Sequence, residues 1–204
     1  MTDITDRQEA RHREKMQRRK EVQDAEVAEK RIEKGLLIVH TGAGKGKTTA
    51  AFGLALRMLG YGKTVGVVQF VKGAWHTGEK DAFAAFGDRL RWHAMGEGFT
   101  WETQDLKRDI AAAEAAWGKA RELMADPDVA LVVLDEINIA LRYDYLPIGE
   151  VVAALQARRP DLHVVVTGRN AKPEMVEAAD LVTEFSLVKH HFKAGVKAQQ
   201  GIEF

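Results

Sequence analysis

The chain contains no cysteine among its 204 residues. That absence removes disulfides, thiolate metal sites, iron–sulfur ligation and thiol nucleophiles together, and a cytoplasmic compartment is the expectation. An excess of either charge is missing too. The 30 basic and 30 acidic side chains balance, so no bulk field draws the protein towards nucleic acid or an anionic membrane. No segment approaches the roughly 18 apolar residues of a membrane span, and the first residues hold no apolar signal core. What remains is a protein that acts on small molecules or through a local interface. With 46% hydrophobic residues it can bury one substantial α/β core.

From Asp6 to Lys34 the sequence is dense in mixed charge, with only Met16, Val22, Val27 and Ile32 scattered through it. Good helix formers without an apolar stripe predict a helix that cannot bury itself. Residues 1–34 therefore read as a charged, partly flexible N-terminal helical segment, and residues 35–204 as the folded domain. Such a leader is either a solvated extension or a segment that docks when ligand binds.

Beyond the leader, short apolar runs alternate with helical patterns. Strands are expected at 36–40, 64–70, 90–94, 129–134, 162–167 and 181–188, and helices at 48–59, 79–86, 102–125, 148–157 and 173–179. Several runs are too continuously apolar to face water on one side. Alternation of this kind predicts a mostly parallel sheet flanked by helices on both faces.

Residues 41–49 read TGAGKGKTT between an expected strand and an expected helix. A Walker A loop is glycine, four residues, then Gly-Lys-Ser/Thr. Gly46-Lys47-Thr48 supplies its second half, while Thr41 stands at the first glycine. Gly42, Gly44 and Gly46 still allow backbone N–H groups to turn inward as an anion nest at a helix N-terminus. Lys47 would contact phosphate oxygens and Thr48 would ligate Mg²⁺ (or Mn²⁺). The run Leu131-Val132-Val133-Leu134-Asp135-Glu136 ends a strand in two carboxylates, which a parallel sheet brings to the same edge as the loop. Asp135 and Glu136 are thus metal candidates, the alternative being a pair that only caps a helix at 137–141. These residues point to ATP or GTP with Mg²⁺ without naming a reaction, and the lack of a guanine-specific NKxD-type strand end leans towards ATP.

Three further stretches narrow the field. GFTWET at 98–103 puts Phe99 and Trp101 on a glycine-hinged loop. Thr167-Gly168-Arg169 places a cation at a strand end, where it can meet an anion. The third is the C-terminal VKHHFKAGVKAQQGIEF. Together with TGAGKGKTTAAFG, VGVVQFVKG, VVLDE and YDYLP, these segments resemble, in order from about residue 35 onward, the ATP:corrinoid adenosyltransferases of the cob(I)yrinic acid a,c-diamide type. That is the P-loop family of vitamin B12 synthesis and salvage. Thr41 at the first glycine is the family's own form. Ala43 stands where a related member carries asparagine, and alanine offers ATP no side-chain hydrogen bond.

The resemblance implies a P-loop, RecA-like fold and transfer of the 5′-deoxyadenosyl group of ATP to the cobalt of a reduced corrinoid, releasing triphosphate. It implies that ATP lies reversed, with Thr41, Gly42, Ala43, Gly44, Lys45, Gly46, Lys47, Thr48 and Thr49 cradling the γ-phosphate end. Lys47, Glu136 and Arg169 become the catalytic candidates, and Thr48 and Glu136 the metal contacts, with Asp135 supporting. Phe99 and Trp101 match aromatics that exclude the lower axial ligand of cobalt. A reduced flavoprotein as electron donor, a homodimer, and a leader that folds over the corrinoid follow from the same likeness. The competing readings are a RecA-like ATPase forming ADP and phosphate, and a nucleotide-responsive interaction module. Asp161-Leu162-His163 has only a superficial likeness to the Asp-x-His-x-x-Gly element of cobalamin carriers, since Val166 takes the glycine position, and is expected to be structural. His190 and His191 are expected to serve a surface or hinge role.

Overall fold

A computed structural model describes residues 2–71, 77–95 and 105–203. The chain divides into two compact units, Met1–Glu33 and Lys34–Phe204. The first is a single helix, α1 (Thr2–Ala28). Its few apolar side chains do not form a stripe, and Val22 and Val27 are exposed.

The second unit is built on six strands: β1 (Leu37–Thr41), β2 (Thr64–Gln69), β3 (Leu90–Ala94), β4 (Val129–Asp135), β5 (His163–Thr167) and β6 (Leu181–Glu184). They lie in the order β3-β2-β4-β5-β1-β6, and every pairing is parallel. The helices are α2 (Lys47–Gly60), α3 (Gly78–Ala84), α4 (Leu106–Ala125), α5 (Ile137–Arg142), α6 (Ile148–Gln156) and α7 (Pro173–Ala178).

The period-two alternation of the central strands sorts their side chains into two cores. Ile38, Val67, Leu131, Val133 and Val165 meet Ala51, Phe52, Ala55 and Leu59 of α2. Their neighbours Leu37, Val39, Val132, Leu134, Val164 and Val166 point the other way. They pack against Ala116 and Ala120 of α4, Leu141 of α5, Val151 and Leu155 of α6, and Met175 of α7. Each fully buried leucine or valine contributes about 1.5–3 kcal/mol of transfer free energy, so the continuous apolar runs are those of a sheet covered on both faces.

At the N-terminal ends of the strands, polar groups fix the entry to the sheet. Arg158 donates to the carbonyls of Leu155 at 2.7 Å, Gly35 at 2.8 Å and Leu162 at 3.1 Å. Asp180 accepts the Leu37 N–H at 2.9 Å and pairs with Lys34. His163 Nδ1 accepts the Leu36 N–H at 3.1 Å. The Asp161-Leu162-His163 stretch therefore serves the strand end, as expected.

Two expectations are corrected. The last strand stops at Glu184 instead of continuing to 188, because the Phe185 N–H donates to the Thr41 carbonyl and the Phe185 carbonyl accepts from Gly44, beyond the end of β1. β6 is also exposed along its length, as an edge strand with a single neighbour. The expected helix at 102–125 is described from Leu106, where Asp105 caps it by accepting the N–H groups of Lys107 and Arg108. Its first residues, 102–104, lie outside the described residues.

Candidate functional site

The chemistry collects at the C-terminal edge of the sheet, where β1 runs into the glycine-rich loop and α2. Gly46 adopts φ 105° as the residue before α2 and needs the left-handed freedom of glycine. The resulting helix N-terminus projects free N–H groups and a partial positive charge into the loop. No acidic side chain occupies its first turn.

Gly42 and Gly44 are required for a different reason. A Cβ on Gly42 would stand 2.5 Å from the Phe185 carbonyl oxygen, and one on Gly44 would stand 2.7 Å from the carbonyl oxygens of Phe185 and Ser186. The backbone past β6 thus backs the loop, with Gly44 N–H donating to Phe185 at 2.6 Å. The Phe185 ring also meets His40 edge-on, with centroids 5.5 Å apart.

Lys47 is buried, and its ammonium donates to the loop's own carbonyls, Gly42 at 2.9 Å and Gly44 at 2.6 Å. Burial pushes its pKa down; Glu136 opposes that shift, while the charges of Arg169 and Lys45 add to it. The site therefore gathers the charges of Lys45, Lys47 and Arg169 around the loop, which suits a polyanion.

Asp135 is the fully buried centre of the polar network. Its Oδ1 accepts from the Thr48 hydroxyl and from the Thr167 hydroxyl, both at 2.8 Å, and its Oδ2 accepts from Gln69 Nε2 at 3.0 Å. Glu136 follows at φ 63°, and its backbone N–H donates to Thr167 at 2.9 Å. Glu136 occupies the cap position of α5 without a side-chain cap hydrogen bond, so the reading of the acids as mere helix caps does not hold. Gly168, at φ 128°, faces Glu136 closely: a Cβ there would lie 3.1 Å from Glu136 Oε2. Arg169 is exposed just beyond it.

The residues present fit a divalent cation. With its proton committed to Asp135, the Thr48 oxygen keeps lone pairs that would suit a metal, and Glu136, next to Asp135 in the chain, carries a further carboxylate. Asp135 has both oxygens engaged and acts as the orienting acceptor.

The structure thus brings together Thr41, Lys47, Thr48, Asp135 and Glu136, with Arg169 close enough for its charge to reach Lys47. Thr41 serves through its hydroxyl, which accepts the Ala171 N–H at 3.0 Å. The side chains of Ala43, Lys45 and Thr49 are exposed. Phe99 and Trp101 lie outside the described residues. The sequence reading gave no role of their own to Gln69 and Thr167, although each is a polar residue closing a parallel strand, the position from which side chains reach a ligand edge. It missed Phe185 altogether, because that residue acts through its backbone.

At the C-terminal end, Glu203 pairs with Lys45 of the loop and lies 3.2 Å from His191. Hydrogen bonding to Lys45 holds the Glu203 carboxyl below the usual carboxylate range. The His190 and His191 rings stack with centroids 4.8 Å apart, and His190 Nδ1 accepts the Phe192 N–H. These contacts tie down the turn at 191–194.

A parallel α/β sheet with a phosphate loop, a buried lysine and a carboxylate pair at its C-terminal edge defines a P-loop nucleotide-binding protein. The family model described as ATP:corrinoid adenosyltransferase BtuR/CobO/CobP matches residues 33–204, and one described as Cob(I)alamin adenosyltransferase N terminal matches residues 1–27. The chain belongs to this ATP:corrinoid adenosyltransferase family. It is 61% identical over 194 residues to a corrinoid adenosyltransferase of Pseudomonas aeruginosa, covering 95% of this chain and 96% of that protein. A corrinoid adenosyltransferase of Sinorhizobium is 53% identical over 201 residues, covering 98% of this chain and 94% of that protein. The corrinoid adenosyltransferase CobA of Salmonella typhimurium is 47% identical over 194 residues, covering 95% of this chain and 98% of that protein.

Proposed function

We infer that this chain is an ATP-dependent corrinoid adenosyltransferase of B12 biosynthesis, moving the 5′-deoxyadenosyl group of ATP onto the cobalt of a reduced corrinoid. The observation that carries the reading is the family match over the whole folded unit, residues 33–204, joined to a glycine-rich loop that encloses the buried Lys47.

In the transfer, the cobalt(I) electron pair of the substrate attacks the ribose C5′. A cobalt–carbon bond forms, the C5′–O5′ bond breaks, and its electrons leave with triphosphate. Cobalt(I) is itself the nucleophile, so the protein supplies no base and no covalent side chain. Its tasks are alignment and stabilisation of charge on the leaving group. In our reading ATP lies with its γ-phosphate end in the loop. Lys47 moves from the Gly42 and Gly44 carbonyls to phosphate oxygens, the α2 N-terminus and loop N–H groups bind the remainder, and Arg169 adds a second cation. Mg²⁺, held by Thr48 and Glu136 with Asp135 orienting Thr48, would neutralise phosphate charge.

We assign Phe99 and Trp101 to the lower face of the corrin, where apolar rings disfavour an axial ligand and so favour the four-coordinate cobalt(I) state. A reduced flavoprotein as donor, a homodimer and a cytoplasmic setting belong to the same proposal. Among the described residues, no helix is long and apolar enough to cross a membrane.

The test is anaerobic incubation of the protein with Mg²⁺-ATP and chemically reduced cob(I)inamide. Absorbance reports a light-sensitive cobalt–carbon bond, and phosphorus NMR reports the products. Adenosylcorrinoid with equimolar triphosphate is expected. ADP and phosphate would instead mark an ordinary P-loop ATPase.

A further inference from the structure

Asn138, the second residue of α5, has no part in the site as described above, yet its side chain is only 1% exposed. Its Nδ2 donates to the Gly168 carbonyl at 3.2 Å, while its Oδ1 is enclosed without a hydrogen-bond partner. Packing alone does not account for an amide here, because leucine would fill a similar volume without stranding a polar atom.

Gly168 is the hinge between two functional residues. Before it, Thr167 binds Asp135 and the Glu136 N–H; after it comes Arg169. At φ 128° the position excludes other residues, and a Cβ would meet Asn138 Cβ at 2.8 Å. The Gly168 N–H donates to the His40 carbonyl at 3.2 Å, so β1 holds the peptide unit before Gly168 and Asn138 the one after it. Arg169 itself is an exposed side chain with many rotamers, and the backbone before it sets where it can reach.

We propose that Asn138 is a positioning residue for the transfer reaction: by holding the Gly168 carbonyl it fixes the direction in which Arg169 leaves the sheet, and with it the guanidinium's grip on triphosphate. The inference rests on the reading of Arg169 as a cation facing triphosphate. A cation pre-placed by the fold binds a polyanion without the ordering cost of a free side chain.

The experiment is calorimetric titration of inorganic triphosphate, in magnesium buffer, into the full chain and the variants Asn138→Leu, Arg169→Ala and the double substitution. Thermal unfolding and the split between kcat and KM for ATP are measured alongside. Arg169→Ala is expected to weaken triphosphate about 10-fold or more. Asn138→Leu should weaken it about 3- to 10-fold at a melting temperature close to the parent's, and the double variant should be no weaker than Arg169→Ala alone. If the leucine variant does not fold, Asn138→Ser, too short to reach Gly168, carries the same comparison. Parental affinity in the position-138 variant, or losses that add in the double variant, overturns the positioning role. Unchanged affinity in Arg169→Ala overturns the reading of Arg169 and this inference with it.

Discussion

The hydroxyl of Thr48 in α2 and the carboxylate of Asp135 at the end of β4 are joined at 2.8 Å. This bond fixes the rotation of the hydroxyl and so the direction of its lone pairs. Asp135→Asn keeps the shape but places an amide where three donors converge, and one donor must then face another. Such a break in a buried polar network costs roughly 2–4 kcal/mol. Turnover is expected to fall about 100-fold, with Thr48→Ser within a few-fold of the parent and Thr48→Val close to the asparagine variant, read from steady-state kinetics at saturating corrinoid.

Lys47 gives a pH dependence with a defined sign. Burial first, then the charges of Arg169 and Lys45, hold its folded pKa below the ordinary 10.5. Triphosphate requires the ammonium, so affinity is retained below the folded pKa and lost as pH rises through it, at lower pH than for a free lysine. Stability of the ligand-free protein has the opposite slope there, because the unfolded chain holds the proton longer. Titrations of inorganic triphosphate across pH 7 to 10 (roughly the lysine window) should show the loss, and Lys47→Met should flatten it.

The backing of the loop predicts that alanine is costly at either of two glycines. Gly42→Ala and Gly44→Ala push a methyl into the Phe185 backbone, which cannot swing away as a flexible side chain can. Overpacking of this kind costs about 1–3 kcal/mol, or roughly 2–10 °C in melting temperature for a chain of this size. Gly53→Ala on α2, where nothing lies within 4 Å of the added carbon, should be neutral or slightly stabilising. Differential scanning calorimetry separates the three.

Asp180 sets an acid limit. A hydrogen bond from Lys34, then the Leu37 N–H and the charges of Lys34 and Arg158, hold its carboxyl below the ordinary 3.8 against the effect of burial. Its contribution to stability is complete above that value and disappears as pH falls through the lower folded pKa. Asp180→Asn should therefore melt earlier than the parent at neutral pH and approach it in strong acid, with the KM for ATP unchanged at neutral pH.

The leader gives a separable prediction. Removing residues 2–30 is expected to weaken corrinoid use while ATP binding stays intact, measured by corrinoid KM and by nucleotide titration. Loss of both together would assign the leader to folding of the chain.

The folded unit was legible from the continuous apolar runs at 64–70, 129–134 and 162–167, because strands buried on both faces admit little else. The loop was legible because only glycines and a lysine before threonine satisfy a phosphate at a helix start. β6 was read four residues too long: Leu187 and Val188 look like strand, yet both are exposed, and the backbone from Phe185 serves the loop instead. Asn138 left no mark in the sequence, since its importance comes from a contact with a carbonyl in a distant turn. Tertiary partners that act through main-chain atoms have no side-chain signature to read.

The clasp between the phosphate loop and Phe185 also makes an early segment of the chain depend on a late one. Loop and α2 leave the ribosome early, but the backbone that supports Gly44 and Thr41 belongs to the last strand and its continuation. Until that strand is synthesised and joins β1, the loop lacks the wall against which its glycines are shaped. The backing of the loop is thus complete only once β6 has paired with β1.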